Sequence, residues 1–146
     1  QSYRVSMGKI FHHEFVVPPE VVDLNNHVNN VAYVQWMQDI AVAHSRSVGG
    51  TAETQKVGAT WVARSHQITY LRPAFEGDRI RLLTWVASFR KARSTRKYKF
   101  LRLDDNAVLA TGETEWVLVN VNTGRPRSIP AEVFRCFEVV LSEHEP

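Results

Sequence analysis

The chain has very few of the features that mark secreted, membrane-spanning or disulfide-bonded proteins. Cys136 is the single cysteine, so the chain can form neither an internal disulfide nor a multi-cysteine zinc site. It holds no Asn-X-Ser/Thr glycosylation signal, and no apolar run approaches the roughly 20 residues that a membrane span needs. The N-terminus also lacks the basic-then-apolar pattern of a signal peptide. We therefore expect a soluble, cytoplasmic protein with no membrane partner.

Several sequence signatures of catalysis are missing as well. There is no Gly-X-Ser-X-Gly elbow, which argues against a serine hydrolase, and no Walker or dinucleotide fingerprint. No pair of histidines or acids has the spacing of metal ligands. A metal site made of Asp23, His27 and a remote histidine therefore has no support from spacing. His44 and His66 are isolated in the sequence, and Cys136 between phenylalanines is typical of a buried small hydrophobic residue. We expect no bound metal.

What the chain does have is the composition of one compact domain. Its 146 residues are 44% hydrophobic and 23% charged, which is enough to build a core without disulfides. We find no repeat, linker or low-complexity tract. We therefore predict a single domain over residues 1–146.

The pattern of apolar residues predicts the elements of that domain. Lys9 to Val17 reads as a strand that ends at Pro18-Pro19, and Val31 to about Val48 reads as a buried helix that ends at Gly49-Gly50. Four strand-like stretches follow, separated by turn residues: Gly58 to Arg72, Arg79 to Phe89, Ser94 to Leu103 and Ala107 to Asn120.

These elements predict an α+β architecture. Short links favour an antiparallel meander of the consecutive strands, and the one long helix is the cover available for the apolar face of the sheet. We expect a curved antiparallel sheet of about five strands wrapped around that helix. Long strands leave an open edge, so we also expect a homodimer formed through strands, with further assembly to a tetramer left open.

The most informative segment lies just before the helix. Asp23-Leu24-Asn25-Asn26-His27-Val28-Asn29-Asn30 carries an acid, an imidazole and four carboxamides in eight residues. Asparagine and aspartate bond to nearby backbone and favour turns and helix N-caps, so this segment predicts a tight loop leading into the helix start. A carboxylate beside exposed N–H donors can perform acyl chemistry. The competing interpretation is that Asp23 is only a turn or capping residue and that His27 only braces the loop.

A second feature is a run of positive charge. Between Arg90 and Arg102 the chain has seven cations and no acid, although the net charge is a modest +3: Arg90, Lys91, Arg93, Arg96, Lys97, Lys99 and Arg102. Such a run can be a solvated strand pair, or it can attract a phosphorylated ligand. It contains no nucleic-acid reading motif, so we do not expect a nucleic-acid partner.

Together these landmarks resemble a known family. Three landmarks, in this order along the chain, resemble those of hotdog-fold thioesterases. They are Asp23 with His27-Val28-Asn29-Asn30 and Tyr33, then Tyr70-Leu71-Arg72-Pro73 before Gly77-Asp78, and finally Gly124-Arg125-Pro126 before Ile129-Pro130. The likeness is to the group of 4-hydroxybenzoyl-CoA and related acyl-CoA thioesterases and extends over roughly Lys9 to Phe137. It implies the hotdog fold and hydrolysis of an acyl-CoA thioester.

The resemblance also implies roles for single residues. Asp23 would be the catalytic carboxylate, as general base or as nucleophile, and the backbone N–H near Asn30 would polarise the thioester carbonyl. Asn25 and His27 would assist, because Asp23-X-Asn25-X-His27 is similar to the catalytic segment of plant acyl-ACP thioesterases. Those relatives continue with a further acid and a cysteine, which the stretch around Arg72, Pro73 and Ala74 lacks, so a mechanism centred on Asp23 is favoured.

An acyl-CoA substrate also needs binding residues, and the sequence offers candidates for them. We assign the acyl group to a pocket that includes Tyr33 and Trp61, and the phosphates of coenzyme A to the basic run at Arg90, Lys91, Arg93 and Arg96. Coenzyme A is part of the substrate, so no separate cofactor is needed. Two alternatives stay open: an acyl carrier protein as partner in place of coenzyme A, and a non-catalytic module that binds or senses acyl-CoA.

Overall fold

The computed structural model describes the backbone of residues 3–6 and the whole of residues 10–146. The predicted first strand, Lys9 to Val17, corresponds to β2, although Lys9 itself lies outside the described residues. In chain order the elements are β1 (Tyr3–Ser6), β2 (Ile10–Val16), α1 (Asn30–Ser47), α2 (Gly50–Lys56), β3 (Ala59–Tyr70), β4 (Arg79–Arg90), β5 (Arg93–Arg102), β6 (Val108–Asn120) and α3 (Ala131–Phe134).

The described strands form one antiparallel sheet in the order β1-β2-β4-β5-β6-β3. The predicted meander is confirmed for β4, β5 and β6, but β3 pairs with β6, so the prediction that β3 would pair with β4 is wrong. The reason lies in the link over residues 71–78, which crosses the sheet. It begins with Leu71 N–H donating to Leu109 at 2.9 Å and ends with Gly77 N–H donating to Val17 at 3.0 Å, beside β2.

Helix α1 covers the inner face of this sheet. It begins at an N-cap, Asn29, and is followed by Gly49 in the left-handed region, where a residue without Cβ is favoured. Its buried residues recur on one face, as an amphipathic helix requires: Ala32, Tyr33, Met37, Ile40, Ala41 and His44. The predicted arrangement of one long helix on a curved antiparallel sheet is confirmed. No helix among the described residues is long and apolar enough to cross a membrane.

The helix packs tightly against the sheet at Gly112 in β6. A Cβ atom on Gly112 would come within 2.9 Å of the Sδ atom of Met37, which is fully buried, and within 3.4 Å of the ring of Tyr98. Interiors are packed as densely as organic crystals, so Met37 has little space into which to move. Gly112 therefore allows the close approach of α1.

We predict that Gly112→Ala lowers the free energy of unfolding by about 1–3 kcal/mol, because the added methyl group meets Met37. In a Met37→Ala background the same change should cost much less, since the methyl group enters the space that Met37 vacates. Urea unfolding of the two single variants and the double variant measures this coupling. An equal cost of Gly112→Ala in both backgrounds would contradict the packing described here.

Candidate functional site

The Asp23 segment forms the tight loop that the sequence predicts. Val22 and Val28 form an antiparallel bridge, and Asp23 N–H donates to the carbonyl of His27 at 2.9 Å. Asn26 has a φ of 65°, a left-handed conformation that asparagine tolerates better than most residues. The loop is closed by its own backbone.

Asn29 connects this loop to the helix. Its Oδ1 accepts from Ala32 N–H at 2.9 Å, and its Nδ2 donates to the carbonyl of Val21 at 2.9 Å. The first two helical residues, Asn30 and Val31, are exposed, and their N–H groups donate to no described residue. The partial positive charge of the helix start is therefore open to an oxygen ligand.

The three side chains proposed for catalysis are exposed in the single chain. Asp23 Oδ1 accepts from Asn25 N–H at 2.9 Å, which leaves its other oxygen without a described partner. His27 packs edge-on against the ring of Phe75 at 5.3 Å. Neither Asp23 nor Asn30 lines a described cavity. The loop thus presents an acid and open N–H groups without enclosing a substrate.

A cavity of about 220 Å³ lies at the opposite end of α1, between α1, α2 and the inner face of the sheet. Trp61, a predicted substrate-binding residue, lines it together with Phe89, Trp116 and Phe137. Ala41 and Ser45 contribute from the second half of α1. Aromatic walls with a few polar groups are typical of small-molecule sites.

Arg96 also lines this cavity and is only 5% exposed. Its Nη1 donates to His44 Nδ1 at 2.9 Å and to Thr84 Oγ1 at 3.1 Å, both of them neutral acceptors. Burial lowers the pKa of Arg96, and no carboxylate of the described residues opposes this shift. Arginine keeps its proton in proteins, so the cavity wall holds a positive charge whose burial is costly.

His44 is neutral because it is buried and lies beside Arg96. Burial, followed by the charge of Arg96, lowers the pKa of His44 to about 3, and its ring stacks on Phe11 at 5.1 Å. A neutral imidazole that accepts at Nδ1 carries its proton on Nε2. The sequence treats His44 as isolated, whereas the structure pairs it with a residue 52 positions away.

The other predicted substrate-binding residues are dispersed. Arg90 and Lys91 are exposed at the β4–β5 turn, and Arg93 forms an ion pair with Glu115 at 3.2 Å. Arg96 does not share their surface, because its side chain is buried in the interior. Tyr33 is also in the core, packed edge-on against Tyr70 and Phe100 at 5.2 and 5.1 Å, and burial raises the pKa of its hydroxyl to about 12.

One chain therefore does not bring the predicted site together. Asn30 and Ala41 are eleven residues apart on α1, which separates the Asp23 loop from the cavity by roughly 17 Å along the helix axis. The described residues hold no group of three or more His, Cys, Asp or Glu suited to a metal. Cys136 is partly exposed rather than buried as predicted, and its Sγ donates to the carbonyl of Glu132.

The sequence analysis missed Arg96, His44 and Thr84 as a buried polar cluster. A signal was present, because β5 alternates Ser94, Arg96, Tyr98 and Phe100 with Thr95, Lys97, Lys99 and Leu101. The aromatic face is the one to be buried, and Arg96 belongs to it.

Comparison with known proteins identifies the family. Residues 17–137 match the model of the thioesterase-like superfamily, and the chain belongs to this superfamily.

Individual relatives are more distant. The palmitoyl-acyl carrier protein thioesterase of Gossypium hirsutum is 25% identical over 136 residues, which cover 88% of this chain and 33% of the relative. The chain thus spans about a third of the length of the curated relatives it matches.

Solved structures share the hotdog fold. The 12:0-ACP thioesterase of Umbellularia californica superimposes with a TM-score of 0.80 at 22% identity, over 90% of this chain and 51% of that one. A Staphylococcus aureus protein solved in complex with CoA superimposes with a TM-score of 0.77 at 20% identity, over 94% of this chain and 92% of that one. The predicted hotdog fold is confirmed.

The buried histidine leads to a prediction about acid stability. The folded pKa of His44 is about 3 and its usual value is 6.5, so between these pH values the unfolded chain binds a proton that the native protein does not. Stability should therefore fall as the pH drops through this window, by up to about 1.4 kcal/mol per unit from this group.

His44→Asn retains an acceptor for Arg96 but cannot titrate, so its unfolding free energy should decline less steeply between pH 6.5 and 4. Urea unfolding at several pH values measures the slopes. His144→Asn, at an exposed position, is the control and should keep the wild-type slope. Equal slopes for His44→Asn and wild type would refute the assignment.

Proposed function

We propose that the chain hydrolyses an acyl-CoA thioester to the free acid and coenzyme A. The observation that carries the proposal is the loop from Asp23 to Asn29, which bears a carboxylate and leads into the open start of α1 in a member of the thioesterase-like superfamily. Asp23 acts as general base or nucleophile, the N–H groups at Asn30 hold the carbonyl oxygen, and Asn25 and His27 assist.

The chemistry of hydrolysis makes this arrangement suitable. Attack on the thioester carbonyl builds negative charge on its oxygen, which helix-start N–H groups stabilise in the transition state. The Asp23 oxygen that does not bond to Asn25 N–H is free to accept a proton from water or to attack directly. Both routes require the carboxylate to be ionised.

We propose that a second copy of the chain completes the site. Among the described strands β3 pairs only with β6, so its other edge is open, and Val62 and Tyr70 on it are 43% and 44% exposed. Long open edges favour pairing with another strand. A homodimer joined through β3 would cover this edge.

Such a dimer would bring the two halves of the site together. Antiparallel pairing of β3 about its middle sets the Tyr70 end of one copy beside the Ala59 end of the other. The ring of Tyr70 packs on Tyr33 in the first turn of α1, next to the Asp23 loop, while Trp61 near the Ala59 end lines the cavity. Asp23 of one copy would then face the cavity of the other.

Two observations bear on the carrier of the acyl group. The exposed cations Arg90, Lys91 and Arg93 and the likeness to a structure that holds CoA support coenzyme A. Acyl carrier protein is the second candidate, because the curated relatives are named as thioesterases of acyl carrier proteins. The two carriers differ in their contact area and in their response to salt.

We predict that Asp23→Asn lowers kcat on the best acyl-CoA of a panel by a hundredfold to ten-thousandfold, on the order expected for a lost general base. Free thiol release measures the rate, and circular dichroism checks the fold. The same acyl group presented on acyl carrier protein should be hydrolysed more slowly than on coenzyme A.

Asp39→Asn is the matched control, because Asp39 is an exposed acid on α1 outside the loop and its loss should leave kcat unchanged. Full activity of Asp23→Asn would overturn the mechanism. If the acyl group on acyl carrier protein is hydrolysed faster than on coenzyme A, and salt slows that reaction, acyl carrier protein replaces coenzyme A as the proposed carrier. Binding without turnover of any thioester would leave a non-catalytic binding module.

Mixing two inactive variants tests the shared site. Asp23→Asn removes the acid, and Ser45→Trp fills the cavity, so each homodimer should be inactive. After unfolding and refolding an equimolar mixture, roughly a quarter of the wild-type sites should return, because half of the dimers are mixed and each has one intact site. No recovery in a mixture shown by mass spectrometry to contain mixed dimers would place both halves in one chain.

A further inference from the structure

One edge of the Arg96 guanidinium, formed by Nε and Nη2, is available to bind a carboxylate inside the protein. Its Nη1 makes both of the hydrogen bonds described for the side chain, to His44 and Thr84. The N–H groups on Nε and Nη2 donate to no described residue, although the side chain is 95% buried and lines the cavity. Arginine carries five N–H donors, so three of those on Arg96 have no acceptor among the described residues.

The same edge holds a carboxylate elsewhere in this chain. Arg102 donates from Nε and Nη2 to the two oxygens of Asp105, each at 3.1 Å. Arg79 directs the same two nitrogens at a single oxygen of Asp104, Oδ1, at 3.3 and 2.8 Å. The two-oxygen geometry of Arg102 is the strong form of arginine–carboxylate pairing. Arg96 has the donors of such a pair without the acid.

We propose that the cavity is a binding site for the carboxylate of a small organic acid, with Arg96 as the residue that recognises it. Nε and Nη2 donate to the two carboxylate oxygens, while Nη1 stays on His44 and Thr84. Ser94, also 5% exposed and on the same face of β5, offers a hydroxyl two residues away.

The rest of the cavity defines the body of the ligand. About 220 Å³ is the space of about seven water molecules, which suits a short alkyl or single-ring acid. Trp61, Phe89 and Trp116 supply apolar walls, and the ring of Phe137 lies 5.9 Å from Arg96 Cζ. One buried cation balances a monoanion, whereas a phosphate dianion would bring excess charge into this apolar space.

The carboxylate has two possible sources. It can be a free acid, or it can be the distal carboxylate of an acyl group whose other end is the thioester. The second source rests on the proposed thioesterase function, and the first does not. Both use the same contacts with Arg96.

Direct binding tests the site on its own. Hexanoate and phenylacetate are titrated into the full chain beside their uncharged amides, hexanamide and phenylacetamide, with the fluorescence of Trp61 and Trp116 as the signal. The acids should bind at least about tenfold more tightly than the amides, because the carboxylate pairs with a buried guanidinium. Trp61→Phe and Trp116→Phe, each as a separate variant, identify the reporting residue.

Arg96→Met should abolish the preference for acid over amide, while Arg135→Met, which removes an exposed cation outside the cavity, should preserve it. The acid and amide comparison on the wild type stands even if Arg96→Met does not fold. Equal binding of acid and amide, no binding of either acid at millimolar concentration, or an unchanged preference in folded Arg96→Met would overturn the proposal.

Kinetics then separate the two sources. If the carboxylate belongs to the acyl group, adipoyl-CoA should have a lower KM than hexanoyl-CoA, and Arg96→Met should remove the difference. If it is a free acid, hexanoate should inhibit hydrolysis of hexanoyl-CoA and adipoyl-CoA should have no advantage. Should no thioester be hydrolysed at all, the proposed function fails while the titrations still decide the site.

Discussion

Helix α1 packs against the inner face of the sheet so closely that a Cβ atom on Gly112 would come within 2.9 Å of Met37. Both candidate sites depend on this contact, because it fixes the position of α1 on the sheet and each site includes one end of the helix. Its N-terminal end carries the Asp23 loop, and its C-terminal half forms one wall of the cavity at Ala41 and Ser45. The two ends differ in chemistry: open N–H groups at the start, and a buried arginine beside the second half.

The buried charge of Arg96 is costly to keep in the interior. The protein offers it two neutral acceptors, and the pKa of one of them, His44, is lowered by burial and then by the charge of Arg96. Buried charges in proteins are normally paired, and those that are not are expensive to keep. The structure has no described acid within reach of Arg96, so a ligand that supplies the acid would remove the imbalance.

The open edge of β3 connects the two sites in the proposed assembly. Within one chain the exposed Asp23 loop and the cavity are at opposite ends of α1, and neither forms a complete catalytic centre. In an antiparallel pair, the β3 strands of the two copies run in opposite directions. The Asp23 loop of one copy therefore lies near the cavity of the other. The exposure of Asp23 in the single chain is then what a shared site requires.

The sequence by itself determined the local structure. Strand and helix periods, Asn29 as the cap and the turn residues around Asn26 act over a few positions, so the elements and the loop were predictable, and the landmarks around Asp23 indicated the family. The tertiary structure alone decided that β3 pairs with β6 and that His44 meets Arg96. Alternation indicates which face of β5 is buried but does not say what Arg96 meets there, and contacts between residues 52 positions apart exist only after the sheet has formed around the helix.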